Sequence, residues 1–216
     1  MSRARFIVVE GVEGAGKTTQ VRLLSSWMTA LGIAHVSARE PGGTGVGEAI
    51  RGVLLAQRDE DVPAETELLL MLGARAAFVR GVVEPALSRG EIVLADRFEL
   101  STFAYQGYGR GLDLDDIDRL NTFATGGLAP DLTIVMDLPV AEGASRQAQE
   151  GLEPDRIEGE GAAFLERVRR GYQELSSRRD RIRMIDARGE AEVVHSRLRG
   201  ALAEAFPETF SVPTGS

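Results

Sequence analysis

The apolar positions of this chain alternate between two periods. Short continuous apolar runs, bounded by Gly, Pro and charge, read as strands buried on both faces, and longer stretches with apolar residues every three to four positions read as helices. Phe6-Ile7-Val8-Val9 is the first such strand and Thr18 to Leu31 the first amphipathic helix. His35 to Arg39 follows as a short strand broken by Glu40-Pro41-Gly42-Gly43-Thr44-Gly45. Helical spacing returns over Glu48 to Ala56 and over Glu65 to Arg89, and Glu91 to Arg97 is an apolar strand ending in Asp96. A polar and aromatic segment, Ser101 to Gly107, leads into a loop at Tyr108 to Gly111. A helix over Asp115 to Thr125, a strand over Leu132 to Leu138 and a helix over Ala141 to Gln149 come next. Helices over Ala162 to Ser176 and Glu192 to Phe206 then flank a strand at Ile182 to Asp186. Strand and helix alternate throughout, which predicts an α/β fold of three layers with a parallel sheet of about five strands. The tail after Pro207 is expected to fray.

At 216 residues, with no linker of biased composition, the chain reads as a single domain. A Gly-, Pro- and charge-rich break at Glu150 to Arg156 suits a mobile lid at about 147–160. The helix over 65–89 is apolar on more than one side. A face beyond what the sheet needs would offer a homodimer interface, with ordinary core as the alternative.

Composition sharpens this picture in three ways. A net charge of −8 and a pI near 5.0 argue against a general nucleic-acid or membrane surface, so an anionic ligand must meet local Arg clusters. Cysteine is absent, which excludes disulfides and thiolate metal sites. No apolar run approaches a membrane span or signal peptide, so a cytoplasmic protein is expected.

A further point of composition concerns one residue. Of 25 basic side chains all are Arg except Lys17. It stands in Gly11-Val12-Glu13-Gly14-Ala15-Gly16-Lys17-Thr18, the spacing G-x-x-x-x-G-K-[ST] between a strand and a helix. Such a loop surrounds a phosphate chain with backbone N–H groups at a helix N-terminus. Lys17 would reach the outer phosphates as a compact point charge, and Thr18 would ligate Mg²⁺. Asp96, ending an apolar strand, is the candidate second holder of Mg²⁺, with Asp137 as a rival, and Arg97 would clamp a phosphate. Arg39 and Glu40 lie in a loop at a strand's carboxyl end, where open α/β sheets bind ligands. Arg75, among apolar neighbours, needs an anionic partner or ligand.

Together these pieces resemble the thymidylate kinase family over most of the length, up to about Asp186. The resemblance is carried by Glu10 to Thr19, Arg39-Glu40-Pro41-Gly42-Gly43-Thr44, Asp96-Arg97-Phe98, Ser101 to Gly107, Pro130-Asp131-Leu132 and Asp155-Arg156-Ile157-Glu158. It implies a P-loop kinase fold and transfer of the γ-phosphoryl of Mg-ATP to thymidine monophosphate (dTMP). The loop from Gly11 through Thr19, with Arg146, would then bind ATP. Glu13 would contact the acceptor sugar, and Arg39 and Arg97 would hold its phosphate. Arg75 and Thr102 would bond the base, Tyr105 would pack near the sugar, and Glu40, Pro41, Ser101 and Gln106 would complete the acceptor site. Gly14 and Ala15 stand where some relatives carry a P-loop Arg, so the resemblance is to the bacterial form, with catalytic Arg supplied from the lid by Arg156. Two positions depart from the family pattern: Met71 replaces an aromatic that stacks on thymine, and Glu150 replaces an Arg before the lid Gly.

Two other readings compete. One is a kinase of the same fold acting on a different nucleotide or small molecule; the other is a partition-type ATPase switch. A guanine-reading N-K-x-D motif is impossible without a second Lys.

Overall fold

The computed structural model describes residues 4–56, 61–149, 151 and 155–210. Five parallel strands, β1 (Arg5–Gly11), β2 (His35–Arg39), β3 (Ile92–Asp96), β4 (Leu132–Asp137) and β5 (Ile182–Asp186), form one sheet in the order β2-β3-β1-β4-β5. Successive side chains of a strand point to opposite faces. In β1, Ile7 and Val9 therefore enter the larger apolar core on one face of the sheet, while Phe6 and Val8 enter the smaller core with Phe78, Val83 and Phe98 on the other. Both faces are covered, which is why β1, β3 and β4 read as continuous apolar runs rather than alternating ones.

Helices α1 (Lys17–Ala30), α2 (Gly45–Leu55), α3 (Ala64–Phe78), α4 (Glu84–Ser88), α5 (Glu99–Thr102), α6 (Leu114–Thr125), α7 (Val140–Gln149), α8 (Ala162–Ser176), α9 (Ala191–Ala205) and α10 (Pro207–Phe210) complete the layers. The strand order places the crevice of the site. The chain leaves β1 toward β2 and leaves β3 in the other direction, toward β4, although β1 and β3 are neighbours with Val9 opposite Asp96. At such a reversal the connecting loops diverge above the carboxyl ends of the strands.

Three expectations are corrected. The stretch over 65–89 is not one regular α-helix, because a π-helical run at Val79–Val83 separates α3 from α4. Ser101 to Gly107 and the expected loop after it are also largely helical, with a second π run at Phe103–Gly109. Residues 207–210 are not frayed: they form α10, where buried Phe210 stacks on Trp27 with ring centroids 5.3 Å apart. Residues 211–216 lie outside the described residues, as do Glu150 and 152–154 of the expected lid.

Between the loop after β1 and α7, two backbones meet without side chains. A Cβ at Gly14 would lie 2.3 Å from the Gly143 carbonyl oxygen, and one at Gly143 would lie 2.4 Å from the Glu13 carbonyl oxygen.

Candidate active site

The loop after β1 turns through Gly14 and Gly16, at φ 70° and 84°, values that L side chains adopt only with strain. Gly16 caps α1 without any side-chain hydrogen bond. The first N–H groups of α1 therefore stay available to an anion, at the end of the helix where its dipole is positive. The Lys17 ammonium donates to the Val12 carbonyl at 2.8 Å, holding it against the loop. Burial pushes Lys17 down to about 8, with Arg97 adding to the effect and Glu13 and Asp96 opposing it. Thr18 Oγ1 donates to Asp96 Oδ2 at 2.7 Å.

A hydroxyl and a carboxylate in contact are hard oxygen donors of the kind Mg²⁺ takes one or two at a time, with phosphates and water filling its octahedron. Among the described residues no cluster of three His, Cys, Asp or Glu could hold a metal by itself, so phosphate oxygens would have to share the ion. Asp137 stands outside this pair: Arg169 binds its two oxygens at 2.8 and 2.9 Å.

One cavity of about 710 Å³ collects nearly all the remaining candidates. Glu13, Gly14, Gly16, Lys17, Thr18, Thr19, Asp96 and Arg146 line it, as do Arg39, Glu40, Pro41, Met71, Arg75, Arg97, Ser101, Thr102, Tyr105 and Gln106. Gly11, Val12 and Ala15 are buried behind the loop and shape it from inside. Arg97 adopts φ 72°, unusual for a residue with a Cβ and costing roughly 1–2 kcal/mol, which directs its guanidinium into a dense polar cluster. It donates to Glu13 at 2.8 Å, Ser101 at 3.1 Å and the Tyr105 and Tyr172 phenols at 3.2 Å. Burial works to raise Glu13, but Arg97, Lys17 and the Tyr105 hydroxyl outweigh it and hold the carboxyl below its ordinary range.

Arg75 finds the anionic partner its burial demands. Nε donates to Glu40 at 2.8 Å, and its two other nitrogens to Asn121 at 2.9 Å and the Phe98 carbonyl at 3.0 Å. Burial pushes Glu40 up to about 7 in spite of Arg75, and its second oxygen, Oε2, is buried with no hydrogen-bond partner. Arg146 holds α7 to the chain after β5, donating to the Ala187 carbonyl at 3.3 Å and to Glu142 at 2.8 Å.

Arg156 is the departure. Its side chain is turned from the cavity, donating to the Leu54 carbonyl at 2.8 Å and to Glu67 at 2.6 Å, while its neighbours Asp155 and Ile157 do line the cavity.

Four participants escape a sequence reading. Glu10 is fully buried in β1, where it accepts from the Phe98 and Ser101 amides and from the Ser101 and Tyr172 hydroxyls, and burial raises its carboxyl. A carboxylate inside an apolar strand is a signal that could have found it; Tyr172, arriving from α8, leaves none. Arg51 of α2 lines the cavity and donates to the Pro41 carbonyl at 3.2 Å. Glu67 has no exposure and sits at the foot of the expected lid.

The arrangement therefore gathers a phosphate loop, a hydroxyl–carboxylate pair and three arginines, Arg39, Arg51 and Arg97, around one cavity, with Arg97 bonded to Glu13 of the loop itself. The description "Thymidylate kinase" belongs to the family model that matches residues 9–198. Thymidylate kinases of Alkalilimnicola ehrlichii and Desulforudis audaxviator are 45% identical over 212 residues (98% of each chain) and 53% identical over 173 residues (80% of this chain, 77% of the relative). The crystal structure of thymidylate kinase from Ehrlichia chaffeensis superposes with a TM-score of 0.75 at 31% identity, covering 93% of this chain and 99% of that one. Sequence matched from β1 into α9 and a shared α/β P-loop architecture place this chain in the thymidylate kinase family.

Proposed function

We propose that the protein transfers the γ-phosphoryl group of ATP to dTMP, giving the diphosphate, with Mg²⁺ bound beside Thr18 and Asp96. The observation that carries this reading is one cavity lined by both a phosphate loop and three arginines, because phosphoryl transfer needs two phosphate sites that share one space. Lys17 and the α1 amides bind the donor's outer phosphates, Arg146 lies toward its nucleoside, and Mg²⁺ held by Thr18 and Asp96 would supply charge neutralisation. Arg39, Arg97 and Arg51 align the acceptor phosphate. Glu13, kept ionised and tied to Arg97 and Tyr105, fixes that guanidinium and borders the sugar. Arg75, Thr102, Ser101, Gln106 and Met71 border the base, with Glu40 and Pro41 closing the floor.

Arg156 serves the transferring phosphoryl only after leaving Glu67, so closure of the lid would exchange one anionic partner for another. The excluded water would otherwise compete with the acceptor. Exposed Leu69 on α3 and Phe123 on α6, at 59% and 87% exposure, support a homodimer through this face, although Leu68, Leu72 and Phe78 of the same stretch are core. Among the described residues no helix is long and apolar enough to cross a membrane, which supports a cytoplasmic location.

A panel of nucleoside monophosphates with Mg-ATP tests the proposal. dTMP should give stoichiometric ADP and thymidine diphosphate. Equal ADP release with and without any acceptor would favour the ATPase-switch reading, and a better acceptor than dTMP would favour another kinase of this fold.

A further inference from the structure

Glu67 is a carboxylate at 0% exposure that accepts from three side chains of two other segments. Gln106 Nε2 donates to Oε1 at 2.8 Å; Arg110 donates to Oε1 at 3.2 Å and to Oε2 at 3.0 Å; Arg156 donates to Oε2 at 2.6 Å. Burial raises the carboxyl, but these donors prevail and hold it below its ordinary range, so it stays ionised. An ionised carboxylate can only accept, and the face of the Gln106 amide turned toward it must therefore be the NH₂.

Gln106 is 1% exposed and lines the cavity. With the NH₂ committed to Glu67, the carbonyl oxygen lies on the other side of the planar amide. We infer that Glu67 is a positioning residue that locks the Gln106 amide in one orientation and so sets which pyrimidine the acceptor site takes. The inference rests on the proposed function, which puts the acceptor's base on the Gln106 side.

A locked carbonyl accepts from a base that carries N–H at ring position 3, as thymine and uracil do. Cytosine presents a bare nitrogen there and an amino group beside it, and would need the amide turned over. Turning it would set the carbonyl oxygen against the buried carboxylate, replacing a charge-assisted hydrogen bond with repulsion in a site closed to water. A free amide would turn over at little cost and read either base. Discrimination in such a site comes from the polar group left mispaired rather than from shape.

The test measures kcat/KM for dTMP and for deoxycytidine monophosphate with Mg-ATP in the wild type, Glu67→Gln, Gln106→Leu and the double variant. Glu67→Gln presents an amide that can face Gln106 either way, so the preference for dTMP should fall about tenfold or more. Gln106→Leu should lower it similarly, and the double variant should fall no further than Gln106→Leu alone. If Glu67→Gln slows both acceptors by one factor, Glu67 only holds the structure together and the inference is wrong. It is equally overturned if Gln106→Leu keeps the wild-type preference, or if the double variant falls further. A second measurement needs no Glu67 variant: in the wild type, NMR should show the Gln106 side-chain NH₂ strongly protected from hydrogen exchange. A fast-exchanging NH₂ would refute the lock even where Glu67→Gln cannot be purified. Failure of the wild type to phosphorylate dTMP would strike the proposed function instead.

Discussion

Acylation of Lys17 by a small amine reagent such as acetic anhydride probes the phosphate loop directly, because no other side-chain amine exists in the chain. Lys17 lies at the cavity wall with its pKa pushed down to about 8, chiefly by burial. At pH 8 about half of such a group is the nucleophilic free amine, against about 0.3% for an ordinary lysine, a difference of roughly 150-fold in reactive fraction. The rate, followed by peptide mass spectrometry that separates Lys17 from the α-amino group, should rise with pH and level off just above 8. Saturating Mg-ATP should both cover the ammonium and favour its charged form, slowing acylation by about tenfold or more. dTMP alone should protect little, since its phosphate is expected on the arginine side. Activity should fall one for one with Lys17 modification. A rate that still climbs past pH 10, equal acylation with and without ATP, or full activity in protein modified at Lys17 would refute the reading of this loop.

Asp96→Asn should lower turnover by about tenfold or more at saturating dTMP, because the hydroxyl–carboxylate pair with Thr18 is lost, whereas Asp137→Asn should leave turnover near normal. Steady-state rates across Mg²⁺ concentrations decide between them. Glu40 is raised from 4.5 to about 7, so the folded state holds a proton that the unfolded chain has released between these values, and stability should decline as pH rises from 4.5 to 7. The loss amounts to at most about 3 kcal/mol and should largely vanish in Glu40→Gln, as urea melts at pH 5 and 7.5 would show; equal slopes in both proteins would place the proton elsewhere. Arg156→Ala should reduce kcat far more than it raises the KM for dTMP, the mark of a group acting on the transferring phosphoryl. A change in KM alone would leave Arg156 as a clasp on Glu67 only.

What could be read from the sequence was local. The phosphate loop is a run of adjacent residues whose geometry follows from its glycines, and Asp96 is marked by ending an apolar strand, so both were legible without knowing the strand order. That Asp96 rather than Asp137 meets Thr18 was not legible, because both end apolar strands that flank β1, and what separates them is the side of the phosphate loop on which Thr18 emerges. The π runs were hidden too: apolar spacing near 3.6 hardly differs over one turn of either helix type. Met71 does line the cavity, as its place one turn before Arg75 suggests. Arg156 shows the opposite case. Its motif gives its identity, but its present partner, Glu67, lies 89 positions away in sequence.

The bare seam between Gly14 and Gly143 has a mechanical consequence. At this crossing helix α7 and the phosphate loop approach main chain to main chain, so a side chain added at either glycine must displace backbone rather than repack a neighbour. The seam is a clearance set by main chain. It also makes the two positions a single unit of variation: a methyl group at either would wedge the same two backbones apart, and substituting both would widen the gap rather than restore the fit. Even alanine, the smallest addition, is large on the scale of this joint, and a library randomised at both positions should return active clones with glycine at 14 and 143 together.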